Sequence, residues 1–111
     1  MQRGDIILCV SNGDYGKPRP AVIVQADAFN KTHATVTVCP FTTHVIETPF
    51  FRLLISPSKH NGLKLVSQIM IDKIASLRRD KIREKIGALT ADQIRKLDEA
   101  VLLWLDLKNK I

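Results

Sequence analysis

The chain is poor in aromatic residues, in cysteine and in long hydrophobic runs. Phe, Tyr and Trp make up 5 % of its 111 residues, which is too few for the broad base-stacking platform of a single-strand-binding protein. Its two cysteines have no Cys or His pair at ligand spacing, so a zinc site is not expected. No stretch approaches the roughly 20 apolar residues of a membrane helix, and no signal-peptide pattern opens the sequence. We therefore expect a cytoplasmic protein that does not act at a membrane.

The sequence also lacks the signatures of nucleotide and metal chemistry. Gly13 and Gly16 do not have the spacing of a dinucleotide-binding fingerprint. There is no Walker sequence, no acidic metal-binding cluster and no Gly-x-Ser-x-Gly elbow. We therefore expect the functional site to use neither a cofactor nor a metal ion.

What the chain does have is an ordinary globular composition with an excess of positive charge. Hydrophobic residues are 45 % and charged residues 25 % of the sequence, as in an average soluble domain. The length predicts a single domain spanning residues 1–111. Seventeen Lys and Arg against eleven Asp and Glu give a formal charge of +6. Taken alone, this excess of charge favours a nucleic acid, an acidic protein or a membrane surface as partner, and it does not choose among them.

Short β-like runs fill most of the sequence. Residues 35–41 read Thr-Val-Thr-Val-Cys-Pro-Phe, and this strict alternation is the strongest strand pattern in the chain. We expect Pro40 to limit that strand, and the segment from Ser11 to Pro20 to form a loop because it is rich in turn residues. The predicted strands are 6–10, 21–25, 35–41, 50–55, 63–71 and, with a helix as the alternative, 82–89. Residues 26–30 are predicted as a turn or short helix, and 75–81 as a segment holding a short helical turn.

The end of the chain predicts one long helix. Thr90 and Gln93 have the spacing of a capping box, so a helix should run over residues 91–107. Its apolar stripe consists of Ile94, Leu97, Val101, Leu102 and Leu105, with Trp104 off the centre of the stripe and available to a second surface. Five or six short strands and this helix predict a mainly β fold with a C-terminal α-helix, built on a strongly bent sheet or partial barrel.

The two cysteines lie in separate apolar, β-like runs. Cys9 and Cys39 are therefore expected to be buried, reduced thiols. A disulfide between them stays open if their strands are neighbours.

The first candidate functional segment is Lys17-Pro18-Arg19-Pro20. Pro20 favours an extended conformation at Arg19, so the guanidinium would be aimed before a ligand arrives. Its fork of donors suits a phosphate. Asp14, in the same loop, would orient Arg19 or act as a base, or it simply stabilises a turn.

The second candidate segment is Thr42-Thr43-His44, just after Pro40. Two hydroxyls can donate hydrogen bonds to phosphate oxygens, and a neutral His can exchange a proton near pH 7. The alternative is that all three are ordinary residues at the end of a strand.

A basic segment spans residues 78–85, with five positive and two negative side chains. It would either follow a phosphate backbone, which makes binding salt-sensitive, or form a solvated face of mixed charge.

Five short motifs follow one another along the chain. They are Arg3-Gly4-Asp5, Arg19-Pro20-Ala21-Val22, Val38-Cys39-Pro40-Phe41-Thr42-Thr43, Gly62-Leu63 and Ser67-Gln68-Ile69. In this order they resemble the MazF/PemK (Kid-type) toxins of type II toxin–antitoxin modules. The resemblance extends from Arg3 to Leu107, and the pairing of the first two motifs at this spacing is the specific part.

The resemblance implies a small, SH3-like, strongly curved barrel with a C-terminal helix. It implies a homodimer blocked by a cognate acidic antitoxin of the MazE/PemI type. It also implies a ribosome-independent, sequence-specific endoribonuclease, an mRNA interferase, that cuts single-stranded RNA without a metal. The ribose 2′-hydroxyl attacks the adjacent phosphate, which leaves a 2′,3′-cyclic phosphate and a 5′-hydroxyl.

Carried onto this sequence, the resemblance makes Arg19 and Thr42 the catalytic pair. Arg19 would stabilise charge on the pentacovalent phosphate, and Thr42 would hold a phosphate oxygen. Asp14 and Gln68 fall where relatives carry a loop carboxylate and a recurring Gln. Lys17, Thr43 and His44 are further candidates for catalysis or RNA binding, with His44 the local candidate for the general base. Leu65 and Ser67 stand where Kid-type relatives carry an Arg-x-Asp pair.

Two other functions remain open at this stage. A CcdB-type toxin shares the barrel but poisons DNA gyrase through C-terminal residues, and Trp104 is compatible with that reading. A plain SH3-like binding module would need neither Arg19 nor Thr42. Loss of toxicity in a folded Arg19→Ala variant would favour the nuclease over both.

Overall fold

The first three strands form an antiparallel meander that carries both candidate segments. The computed structural model describes residues 1–10, 16–48 and 50–107. Its strands are β1 (Asp5–Cys9), β2 (Arg19–Ile23), β3 (Thr35–Thr42), β4 (Arg52–Ile55), β5 (Ser67–Met70), β6 (Ala75–Arg78) and β7 (Ile82–Ala88). Its helices are α1 (Asp27–Asn30) and α2 (Ala91–Trp104), with 3₁₀ turns at Ile71–Lys73 and Arg79–Lys81.

The strands form one bent antiparallel sheet in the order β4-β5-β3-β2-β1-β7, with β6 also paired to β3. The β1–β7 pair contains register shifts on both sides of Ile7, and such irregularities bend a strand and increase its twist. This mainly β architecture with a C-terminal helix confirms the fold class predicted from the sequence. No helix in the described part of the chain is long and apolar enough to cross a bilayer.

Pro40 does not end its strand, contrary to the prediction. Strand β3 continues to Thr42, and Pro40 is paired with Ala21 of β2. On the other side of β3, pairing with β6 stops at Val38 and pairing with β5 starts at Phe41. Pro40 therefore has a strand neighbour on one side only, which is where a missing N–H donor is tolerated.

Other boundaries also differ from the predictions. The loop was expected to include Arg19 and Pro20, but both belong to β2, where they pair with Cys9 and Leu8. The expected strand 63–71 is shortened to Ser67–Met70, and the segment 75–81 is a strand followed by a 3₁₀ turn. The predictions of β1, the short helix after β2 and strand β7 are confirmed.

Helix α2 packs on the sheet, but fewer residues of its apolar stripe are buried than the sequence predicts. The capping box between Thr90 and Gln93 is present, and Leu97 is fully buried in the main core. Leu102 and Leu105 are 41 % and 45 % exposed, so they do not belong to the buried stripe. Trp104 is 45 % exposed and packs against Phe51 with ring centroids 5.3 Å apart.

The two cysteines are not bonded to each other. Cys9 lies on β1 and Cys39 on β3, with β2 between those strands, and neither forms a disulfide. Cys39 is buried as predicted, and burial raises its pKa to about 12, so the thiol is protonated at neutral pH. Cys9 is only half-buried, which corrects the expectation that both are enclosed.

Gly62 makes a backbone contact that a side chain would break. Its φ is +71°, and a Cβ atom there would lie 2.2 Å from the carbonyl oxygen of Ile86 on β7. We expect Gly62→Ala to lower the melting temperature by about 5 °C or more, because left-handed backbone alone costs ~1–2 kcal/mol for a non-Gly residue and the clash adds to it. Thermal unfolding followed by circular dichroism measures this effect.

Gly16 provides the matched control for this prediction. It has a similar φ of +78°, but no atom of the described residues lies within 4 Å of the position that its Cβ would take. Gly16→Ala should therefore show the cost of the backbone conformation without the clash. Equal melting temperatures for the two variants would refute the close contact at Gly62.

Candidate active site

The register of the sheet brings Arg19 and Thr42 together. Ala21 of β2 is paired with Pro40 of β3. The same register extended by two residues sets Arg19 opposite Thr42, and opposite residues on antiparallel strands project to the same face. Two candidate segments that are separated in sequence therefore meet at one end of the sheet.

A pocket of about 340 Å³ lies at this end of the sheet. It is lined by Arg19, Pro20, Pro40, Phe41, Thr42, Thr43, Ser67, Met70 and Lys73. The polar groups among these residues are two cations and three hydroxyls, with no carboxylate among the described residues that form the lining. Such a pocket favours an anion.

Arg19 is exposed to solvent at the start of β2, while its backbone is fixed. It is paired with Cys9, whose Sγ lies 3.5 Å from the Arg19 carbonyl oxygen. Pro20 follows within the strand, so the extended conformation predicted for Arg19 is observed. The backbone is thus ordered before a ligand binds, which lowers the entropic cost of binding.

The hydroxyl of Thr42 is oriented by the chain that follows it. The backbone N–H of His44 donates a hydrogen bond to Thr42 Oγ1 at 3.1 Å. A hydroxyl has one donor and two acceptor sites, so this bond leaves the Thr42 proton for another acceptor. Since Thr42 lines the pocket, that acceptor can be an oxygen of a bound anion.

The remaining candidates are placed differently. Thr43 lines the pocket, whereas Lys17, His44 and Gln68 are absent from its lining. Lys17 and His44 are exposed. Asp14 lies outside the described residues.

Gln68 is buried and its amide is bonded to the backbone of Ile46. Nε2 donates to the Ile46 carbonyl oxygen at 2.7 Å, and Oε1 accepts from the Ile46 N–H at 3.0 Å. These bonds tie β5 to the segment that follows Thr42 and His44. Gln68 also lines a second pocket beside this segment, and its contact with RNA stays a prediction.

Sequence reasoning missed Lys73 as a pocket residue. It follows the expected strand 63–71, so no pattern indicated that the chain turns there and sends the lysine toward Arg19 and Thr42. Ser67 was noted only as a departure from relatives, yet it also lines the pocket. Its hydroxyl donates to the Leu65 carbonyl oxygen at 2.9 Å.

The basic segment 78–85 is largely occupied by bonds within the protein. Arg79 donates to the carbonyl oxygens of Asn30 and His33. Elsewhere in the segment, Arg78 pairs with Asp80, and Lys85 with Asp5. These contacts favour the reading of this segment as a structural surface of mixed charge.

Comparison with known proteins identifies the family of this small β-sheet protein. The family model of the PemK-like, MazF-like toxins of type II toxin–antitoxin systems matches residues 2–105. The chain therefore belongs to this toxin family. The match favours the MazF-type reading of the sequence over a CcdB-type gyrase poison.

Individual relatives show the same similarity. A protein of Mycolicibacterium smegmatis named "Probable endoribonuclease MazF" is 41 % identical over 108 residues, which cover 96 % of this chain and 98 % of the relative. A mycobacterial endoribonuclease solved in complex with its cognate antitoxin has a TM-score of 0.82 at 25 % identity, with 98 % of each chain covered. The Mycobacterium tuberculosis toxin MazF-mt6 has a TM-score of 0.79 at 25 % identity, covering 92 % of this chain and 96 % of the other.

Proposed function

We propose that this toxin is a sequence-specific, ribosome-independent endoribonuclease that cuts single-stranded RNA in the cytoplasm without a metal. The observation that carries the proposal is the placement of Arg19 and Thr42 in one cationic pocket at the end of the sheet. The names of the relatives, which are endoribonucleases, support the same activity.

The pocket can stabilise the transition state of RNA transesterification. The ribose 2′-hydroxyl releases its proton to solvent as its oxygen attacks the adjacent phosphorus. The bond to the 5′-oxygen of the next nucleotide breaks, and that oxygen takes up a proton from solvent. The products are a 2′,3′-cyclic phosphate and a 5′-hydroxyl. Negative charge grows on the non-bridging oxygens during this step, where the Arg19 guanidinium and the Thr42 hydroxyl act as donors. Electrostatic stabilisation and positioning, rather than proton abstraction, are the roles that these two side chains perform.

The toxin is proposed to act as a homodimer that a cognate acidic antitoxin inhibits. A formal charge of +6 suits an acidic partner, and a structural relative was solved with its antitoxin. The end of α2 and the residues after it expose an apolar surface of the type found at protein interfaces. Its members are Leu102, Leu103, Trp104, Leu105 and Leu107, each between 41 % and 58 % exposed.

Mapping the ends of cleaved RNA tests the proposed function directly. Purified toxin is incubated with a long single-stranded RNA in EDTA, beside an Arg19→Ala variant of equal thermal stability. We expect discrete cuts ending in 2′,3′-cyclic phosphates, which the variant does not make. An RNA left intact by the folded wild-type protein would refute the nuclease function, and cutting only after magnesium is restored would refute metal independence.

A further inference from the structure

The 3₁₀ turn Ile71–Lys73 sends three consecutive side chains to three different places. Ile71 is fully buried, and its N–H donates to the Phe51 carbonyl oxygen at 3.0 Å. Asp72 is bonded to Arg52, and Lys73 lines the pocket. Lys73 therefore lies at the pocket on a turn whose two other residues are fixed by contacts within the protein.

The anchor at Asp72 is a two-point ion pair. Arg52 Nε lies 2.8 Å from Asp72 Oδ1, and its terminal nitrogen lies 3.1 Å from Oδ2. The side chains are only 10 % and 18 % exposed, so solvent screens this pair less than a surface salt bridge. The hydrogen bond from Arg52 lowers the pKa of Asp72 below its usual value, and the carboxylate stays ionised at neutral pH. Because two nitrogens of the Arg52 guanidinium bind the two oxygens of Asp72, the pair fixes the orientation of both side chains as well as balancing their charges.

The ion pair also occupies the carboxylate that precedes Lys73 in the chain. Asp72 attracts Lys73 electrostatically, but both of its oxygens are hydrogen-bonded to Arg52 on β4. The described lining of the pocket holds no carboxylate. The Lys73 ammonium thus enters the pocket with its charge available to an anionic ligand.

Lys73 and Arg19 stand on opposite sides of β3. Arg19 belongs to β2, whereas Lys73 lies between β5 and β6, and both of those strands pair with the other side of β3. Their backbones are therefore separated by at least two strand spacings, ~10 Å. The two cations thus approach the pocket from different sides of β3, where they can bind different phosphates of one strand.

We propose that Lys73 binds a backbone phosphate of the RNA next to the scissile one, and that the Arg52–Asp72 ion pair positions it. This inference rests on the proposed function and adds a binding contact to it. Because Lys73 binds a phosphate that does not react, it contributes equally to the bound substrate and the transition state. Its loss should raise KM and leave kcat unchanged.

Removing the ammonium group tests the binding contact. The substrate is a short single-stranded RNA containing a mapped cut site, and Lys31→Gln is the matched control because Lys31 is exposed near the opposite end of β3. We expect Lys73→Gln to raise KM about tenfold with kcat within about twofold of wild type, as for loss of one charged hydrogen bond. Lys73→Arg should recover most of the lost affinity.

Salt dependence gives a readout that a purely structural role would not change. Binding is measured with the same RNA carrying a 2′-O-methyl group at the attacking ribose, which blocks cleavage. The slope of log K against log salt should be shallower by about 0.7 in Lys73→Gln, the amount for one phosphate contact on a single strand. Lys31→Gln should keep the wild-type slope.

A double-mutant cycle tests the positioning role of the ion pair. Asp72→Asn should raise KM in the wild-type background but have little further effect in Lys73→Gln, because residues acting through one contact are not additive. Arg52→Lys, which retains the charge and loses the fork, provides a second variant if Asp72→Asn does not fold. If the effects of Asp72→Asn and Lys73→Gln on KM are additive in the double variant, the ion pair does not position Lys73.

The outcomes separate this proposal from the function on which it depends. If wild-type protein neither cuts nor binds RNA, both fail. If wild type cuts RNA while Lys73→Gln keeps its KM and salt slope, only the phosphate contact is refuted. A fall in kcat at constant KM in Lys73→Gln would also refute it, because that result would mean that Lys73 contacts the reacting phosphate.

Discussion

Arg19→Ala is expected to reduce the rate of RNA cleavage by about 10³-fold or more without lowering thermal stability. A single donor that stabilises developing charge at a reaction centre is worth about 10²–10³ in rate, and an arginine on a transferring phosphoryl group up to ~10⁵. Arg19 is exposed at the beginning of β2, so the truncation opens no cavity in the core. Single-turnover cleavage of a defined RNA oligonucleotide gives the rate.

Two further variants make this prediction specific to the guanidinium of Arg19. Arg19→Lys keeps the charge but loses the fork of donors, and it should remain well below wild type. Arg95→Ala removes the same charge from an exposed position on α2, where Arg95 pairs with Asp92 and Glu99, and should retain wild-type activity. Wild-type rates in a folded Arg19→Ala variant would contradict the active site itself.

The pairing of Arg19 with Thr42 was implied by the family resemblance, while local patterns indicated only its parts. Pro20 indicated that Arg19 is extended, and the alternating pattern of residues 35–41 placed Thr42 directly after that pattern. What the sequence could not supply is the register, which sets Ala21 opposite Pro40. Register depends on contacts between strands that local patterns do not describe.

Two contacts that the sequence analysis did not foresee have the same origin. Gln68 stays a candidate for RNA binding, but its amide is also bonded to Ile46, 22 residues away in the chain. Arg79 appeared only as one charge in a basic run, but its guanidinium bonds to carbonyl oxygens as far as 49 residues earlier. Polar side chains show their type in a sequence, but their partners are fixed by tertiary structure.

Lys73 illustrates a different limit. The predicted strand ended at Ile71, and no local pattern indicated where Asp72 and Lys73 would lie. The chain enters a 3₁₀ turn there, in which Asp72 is bonded to the distant Arg52. Local propensity gave no signal for this turn because the ion pair that holds it is a long-range contact.

Thr42→Ala is expected to slow cleavage by about 10²-fold, and Thr42→Ser is expected to restore most of the rate. The predicted difference in rate between the alanine and serine variants comes from the hydroxyl. The His44 N–H occupies one acceptor site of Thr42 Oγ1, so the proton of the Thr42 hydroxyl is left for a phosphate oxygen. A neutral donor contributes less to the transition state than the charged fork of Arg19, so the loss should be smaller. The same single-turnover assay compares the two.

Thr42→Val separates the hydroxyl from the shape of the side chain. Valine keeps the branched form that suits a strand but cannot donate a hydrogen bond, so it should be as slow as alanine while remaining folded. Because Thr42 and Arg19 are proposed to stabilise the same charge, their combined loss should be smaller than the product of the two single losses. A Thr42→Val variant as active as wild type would remove Thr42 from the catalytic pair and leave it as a strand residue beside Arg19.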